Sequence, residues 1–153
     1  MRILLVSDSH GNSEALDKLL KKYPKMDLYL HAGDSQSDSY SIYPFISIRG
    51  NCDSFYFDEK YRVFTPMGYL LMRHYPHFSN DEVANNKFLV NGHTHYVDVY
   101  QEEGHVFICP GSPNRPRDNT DGTFIILDIE EKEAEIRILD INTNSICRKY
   151  KIS

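Results

Sequence analysis

RILLVSDSHGNSEALDKLLKKYPKMDLYLHAGD, residues Arg2 to Asp34, decides the fold. ILLV is a short continuous apolar run bounded by polar residues, the pattern of a buried strand. Asn12 or Ser13 then offers a helix cap, and Leu16, Leu19, Leu20 and Tyr23 recur at the i, i+3, i+4, i+7 spacing of one helix face. Glu14 in the first turn and Lys21–Lys22 in the last complement the helix dipole, and Pro24 stops the helix. A second strand follows over Asp27–His31 and a third over Phe45–Arg49. Strand, helix and strand at this spacing predict a βαβ unit with parallel strands and a right-handed crossover.

Beyond Cys52 the pattern shortens and becomes β-rich. Tyr61–Thr65 and Tyr69–His74 flank a Pro-Met-Gly turn and read as a hairpin, and Ser79 caps a short helix to Asn86. Further strands are expected at Lys87–Val90, Tyr96–Gln101, His105–Cys109, Gly122–Ile129 and Ala134–Leu139, mostly antiparallel. Without an internal repeat or a linker, residues 1–153 read as a single domain.

Composition narrows the function. A net charge of −5 with no basic block argues against duplex nucleic acid as a partner, because that binding rests on clustered Lys and Arg. No apolar run is long enough to span a membrane, and ILLV is too short for the core of a signal peptide. The expected location is therefore cytoplasmic. Three cysteines, widely spaced and without a CxxC pair, exclude a disulfide framework and a thiolate zinc site.

Ligand-capable residues stand one after another at the ends of apolar runs. Asp8-Ser9-His10 follows the first strand, Gly33-Asp34 the second, and Gly50-Asn51-Cys52-Asp53 the third. His74 follows Tyr-Leu-Leu-Met-Arg, and Gly92-His93-Thr94-His95 follows Lys-Phe-Leu-Val. Strand C-termini are where open α/β sheets gather their ligands. In an extended segment His93 and His95 point to one face. Four imidazoles, two carboxylates and an amide oxygen are too nitrogen-rich for calcium or magnesium and suit Mn²⁺, Fe²⁺ or Zn²⁺. Seven ligands exceed what one open catalytic ion needs and fit two ions sharing a carboxylate.

These motifs, with the later Pro110-Gly111-Ser112 loop, resemble the calcineurin-like metallophosphoesterases, and more narrowly their small single-domain bacterial and archaeal phosphodiesterases. The resemblance implies an α/β (α+β) fold, a sandwich of two mixed β-sheets flanked by helices. It implies two divalent transition-metal ions, Mn²⁺ first, with Fe²⁺, Zn²⁺ or Ni²⁺ also suited. Asp8, His10 and His95 would hold one ion, Asp34 would bridge, and Asn51, His74 and His93 would complete the other. The implied activity is hydrolysis of a small phosphoester, most naturally a diester, by in-line attack of a hydroxide held between the ions, with Asn51 also orienting substrate. The same fold also serves as a protein-binding scaffold in the small subunit of the eukaryotic retromer coat. A nuclease would need basic surface that this chain lacks.

Two positions depart from the family pattern. Cys52 stands where larger relatives carry a histidine thought to assist the leaving group, so good leaving groups are expected to be favoured. The usual His-Gly is here His74-Tyr75-Pro76-His77, which leaves His74, directly after its strand, as the preferred ligand over His77. Cys52 equally fits a small buried apolar residue, and Asp53 either supports a ligand or closes a turn. Arg115 and Arg117, in a proline-rich loop, fit the substrate phosphate, a subunit contact or plain solvation. His31 is expected in the core or behind a ligand, His105 carries no function, and Ser35–Tyr43 would border the cleft. Exposed edge strands and the Pro-Gly-Ser loop fit a homodimer or higher homo-oligomer.

Overall fold

A computed structural model of the chain describes residues 1–153. In chain order its elements are β1 (Arg2–Val6), α1 (Ser13–Lys22), β2 (Leu28–His31), β3 (Phe45–Ser47), β4 (Lys60–Thr65) and β5 (Gly68–Arg73). They continue with α2 (Asn80–Ala84), β6 (Phe88–Val90), β7 (Val97–Glu102), β8 (His105–Pro110), β9 (Thr123–Ile129), β10 (Ala134–Asp140) and β11 (Ile146–Ile152). They form a six-stranded sheet, β11-β10-β9-β1-β2-β3, and a five-stranded sheet, β4-β5-β6-β8-β7. Both sheets are mixed, as expected.

β1 is central because both its faces are apolar. Ile3 and Leu5 enter the large core, with Leu70, Phe88 and Ile108 of the other sheet. Leu4 and Val6 turn the other way and pack with Leu16 and Leu19 of α1. Alternation along one strand thus ties the two layers together. Asn12 is the cap of α1, its side chain accepting the amide of Ala15 at 3.2 Å.

The C-terminal half is mostly antiparallel, as expected, except at one core strand: β6 runs parallel to both β5 and β8. The α2 segment supplies the crossover into β6, and β7 is passed out to the sheet edge. Helix α2 stops short of Asn86, because the side chains of Asn85 and Asn86 fold back onto the carbonyls of Asp81 and Glu82. β11 was not expected; charges at 148, 149 and 151 hide it, and of its residues only Ile152 is buried. It pairs antiparallel with β10 as an edge strand, where solvated Lys and Arg belong.

Parallel pairing explains why the site assembles. β1, β2 and β3 are mutually parallel, and so are β5, β6 and β8. Each of the six strands is followed by one of the motif segments, so their C-terminal ends meet along a single edge of the sandwich.

Candidate metal centre

At the end of β1 the chain leaves extended geometry abruptly. Asp8 and His10 take positive φ (55° and 45°), as do Asp34 (58°), His93 (71°) and His95 (61°). Left-handed backbone at a non-glycine residue costs on the order of 1 kcal/mol, and Asp and His tolerate it better than most. The conformation is held by loop-to-loop bonds: Asp8 N donates to Gly33 O (3.0 Å), His10 N to Asp34 O (2.9 Å) and Gly11 N to Ser35 O (2.8 Å). Two glycines provide the clearance. A Cβ on Gly50 would lie 2.0 Å from Asp34 Oδ1, and one on Gly92 2.1 Å from Ser7 Oγ.

The first group joins Asp8, His10 and His95. His95 Nε2 lies 3.3 Å from Asp8 Oδ1, and His10 Nε2 3.9 Å from the same oxygen. The far nitrogens are engaged by oxygen acceptors. His10 Nδ1 donates to Gln36 Oε1 at 2.8 Å, and His95 Nδ1 to the carbonyl of Arg115 at 2.7 Å. Those bonds fix the tautomers and leave each Nε2 with a lone pair turned inward. Asp8 is fully buried; its Oδ2 accepts from Ser7 Oγ and the His93 amide, but Oδ1 has no hydrogen-bond partner.

The second group joins Asp34, Asn51, His74 and His93. His74 Nε2 lies 3.3 Å from Asp34 Oδ2, 3.0 Å from Asn51 Oδ1 and 3.9 Å from Asp8 Oδ1. Its Nδ1 donates to the carbonyl of Ala32 at 2.7 Å. His93 Nδ1 stands 3.1 Å from Asn51 Oδ1. Asp34 connects the groups, lying in one cluster with His10 and in another with His74 and Asp8. The structure therefore brings all seven candidate ligands to one place. It also chooses His74 over His77, whose side chain is exposed.

Electrostatics point the same way. Burial pushes the Asp8 carboxyl up, against the pull of Ser7 and the nearby imidazoles. Burial would raise Asp34 too, but the hydrogen bond from His74 and the Cys52 amide hold it down to about 2. Burial opposes a charge on His74, yet Asp34, the Ala32 carbonyl and Asp8 outweigh it and raise its pKa. The pocket thus asks for positive charge at its centre. An orphaned carboxylate oxygen and convergent Nε2 lone pairs are what divalent ions of intermediate softness require.

The remaining expectations resolve individually. Asp53 neither props a ligand imidazole nor merely closes a turn. Its buried carboxylate accepts the amides of Asp34 (2.9 Å), Gln36 (2.9 Å) and Gly50 (2.7 Å), tying two ligand loops together. Cys52 is exposed rather than buried, with Sγ near His10 and Asp34. The partial desolvation of its sulfur and the Asp34 charge raise its thiol pKa. His31 is fully buried behind the site, donating from Nε2 to Ser9 Oγ at 2.8 Å and accepting the Gly33 amide. His105 only holds the carbonyl of Asn86. Arg115 and Arg117 line, with Cys52 and His93, an open cavity of about 470 Å³ over the centre. Gln36 and Ser7 were missed: neither carries a local signal, since each matters only through a residue distant or adjacent that it orients.

No helix is long and apolar enough to cross a membrane. The chain is 29% identical over 161 aligned positions to the probable metallophosphoesterase YsnB of Bacillus subtilis (strain 168), with 95% of each chain covered. Its fold is similar to that of a predicted phosphoesterase from Streptococcus pneumoniae TIGR4, at TM-score 0.86 and 21% identity, covering 99% of this chain and 97% of the other. It is also similar to Vps29 of Entamoeba histolytica complexed with Zn²⁺, at TM-score 0.72 and 18% identity, covering 99% and 98%. The family model for the calcineurin-like phosphoesterase superfamily domain matches residues 1–132, and with the two-sheet fold and the motif order already described, the chain belongs to that superfamily.

Proposed function

We propose that this protein is a phosphodiesterase of small phosphoesters that works with two divalent metal ions, Mn²⁺ foremost and Fe²⁺, Zn²⁺ or Ni²⁺ as alternatives. The observation that carries the reading is Asp8 Oδ1, buried without a hydrogen bond and faced by the Nε2 atoms of His10, His74 and His95. Asp8, His10 and His95 would hold one ion, Asn51, His74 and His93 the other, and Asp34 both. Two ions there supply Lewis acidity and a water made acidic near neutral pH.

The protein's own groups set the rest. Gln36, Arg115 O and Ala32 O keep the Nε2 lone pairs aimed inward, so little reorganisation accompanies charge development. Asn51 stands exposed at the mouth, where its amide can donate to a phosphate oxygen while Oδ1 faces the imidazoles. Arg115 and Arg117 on the cavity wall offer cationic contacts to an anionic ester. Cys52 keeps its proton at neutral pH and is a poor acid towards an alkoxide, which favours esters with stable leaving anions.

The test is hydrolysis of bis(4-nitrophenyl) phosphate by chelator-stripped protein, with and without each ion, beside Asn51→Ala and His95→Ala. Activity should return with metal and fall about a hundredfold or more in both variants. Folded protein inactive with all four ions would sink the reading. A non-catalytic scaffold would then take its place, a role for which the exposed Tyr100 on the β7–β8 face, its ring stacked on the buried Phe107, is a suitable contact.

A further inference from the structure

A second cavity opens on the other side of the same centre. It measures about 340 Å³ and is lined by Asn51, His74, Tyr75, Arg49, Lys60 and Arg73, with Glu59 on its wall. The larger cavity shares Asn51 with it, so the two meet over the second group of ligands. A diester carries two ester arms on one tetrahedral phosphorus. With the phosphate held on the centre, the arms must leave in different directions, and both cavities open beside Asn51.

The walls differ in chemistry. Tyr75 follows His74 directly and presents its ring 4.8 Å from His93 and 5.4 Å from His74, the two imidazoles being 5.1 Å apart. The rings pack edge-on or tilted to one another, and Tyr75 and His74 give this cavity an aromatic wall. Tyr75 is nonetheless 42% exposed. An aromatic surface left open beside a polar centre, with cations around its rim, matches a flat ring carrying negative charge nearby. Lys60 and Arg73 share Glu82 as partner, at 2.5 and 3.2 Å, whereas Arg49 forms no ion pair. Aliphatic arms would gain little from such a wall, because stacking needs a second π-face.

Resting on the phosphodiesterase reading, we propose that Tyr75 is a substrate-specificity residue on which a planar aromatic ester arm, such as an aryl group or nucleobase, stacks. The alternative role, that Tyr75 merely steadies His93, would show as lost metal and not as lost discrimination between arms.

The test uses Mn²⁺-loaded protein with metal content determined for each variant, and two non-hydrolysable probes, phenylphosphonate and methylphosphonate, followed by calorimetry. The wild-type protein should bind the phenyl probe about tenfold more tightly than the methyl probe. Tyr75→Ala should erase that ratio while retaining both metals and its affinity for methylphosphonate, and Tyr75→Phe should keep it. An unchanged ratio in Tyr75→Ala, no preference in the wild type, or loss of metal in Tyr75→Ala would overturn the proposal. Two bound metals with neither probe binding would overturn the phosphodiesterase reading, and this proposal with it.

Discussion

His10 and His95 turn their Nε2 atoms towards each other at 3.2 Å, and the far nitrogen of each ring is already committed to an oxygen. Two facing lone pairs repel unless a cation lies between or beside them. Metal should therefore bind the folded protein and not the unfolded chain. At a concentration a hundredfold above Kd, each bound ion adds about 2.7 kcal/mol, roughly 5–10 °C in Tm for a chain of this size. Differential scanning calorimetry of chelated protein titrated with Mn²⁺ or Zn²⁺ checks this. His95→Ala should remove most of the rise, and an unmoved Tm in the wild type with every ion would contradict it.

Gln36 makes no contact with the centre except through His10, yet its Oε1 fixes that ring's tautomer. Gln36→Ala should weaken metal at the Asp8–His10–His95 group by about ten- to a hundredfold. Fold stability without metal should change little. Competition against a chromogenic chelator measures it, and an affinity equal to wild type would show the orienting bond to be dispensable.

Asp53 accepts three backbone amides from two loops while buried. Asp53→Ala leaves those donors without partners and should cost about 3 kcal/mol in urea denaturation. Asp53→Asn, which retains one acceptor oxygen, should recover part of the loss. A change below about 0.5 kcal/mol for the alanine variant would mean that water replaces the carboxylate.

Gly92 and Gly104 separate steric demand from backbone demand. A Cβ at Gly92 would stand 2.1 Å from Ser7 Oγ, 2.7 Å from Ala32 O and 2.8 Å from Asp8 Oδ2. Gly104 has φ +83° with nothing within 4 Å. Gly104→Ala should cost about 1 kcal/mol and leave metal binding intact. Gly92→Ala should displace Asp8 and abolish binding. Metal stoichiometry by plasma emission spectroscopy distinguishes the two.

His31 gives the protein a defined acid response. Burial lowers its pKa from 6.5 to about 3. As pH falls below 6.5 the unfolded chain takes up a proton that the folded protein refuses until about 3. Its contribution is complete above the unfolded pKa and is lost progressively towards the folded one, as much as about 5 kcal/mol across the window. Urea midpoints of chelated protein at pH 7.5, 5.5 and 4 should therefore fall more steeply for the wild type than for His31→Gln. Parallel slopes would assign the acid sensitivity elsewhere.

Local pattern was enough for the elements that bury an uninterrupted face. ILLV, the Leu16–Leu19 stripe and the Asn12 cap declare β1 and α1 because short-range sterics and alternating burial act on neighbouring residues. The same reasoning failed at β11, whose charged residues pair with β10 through backbone bonds that take no account of side-chain polarity. It left the neighbours of β6 open, because the buried Phe-Leu-Val triplet marks a strand and the connections of the chain decide that it runs parallel to β5 and β8.

The site divides along the same line. Sequence alone determined which donor-bearing residues stand after successive strands, because donor chemistry belongs to each residue separately. Only the tertiary structure decided that His74 and not His77 enters the site, that Asp53 ties two loops, that Gln36 aims His10, and that Tyr75 opens onto a second cavity. Those are relations between residues far apart in the chain, and they exist only once parallel strands bring their ends to one edge and left-handed turns aim the side chains inward.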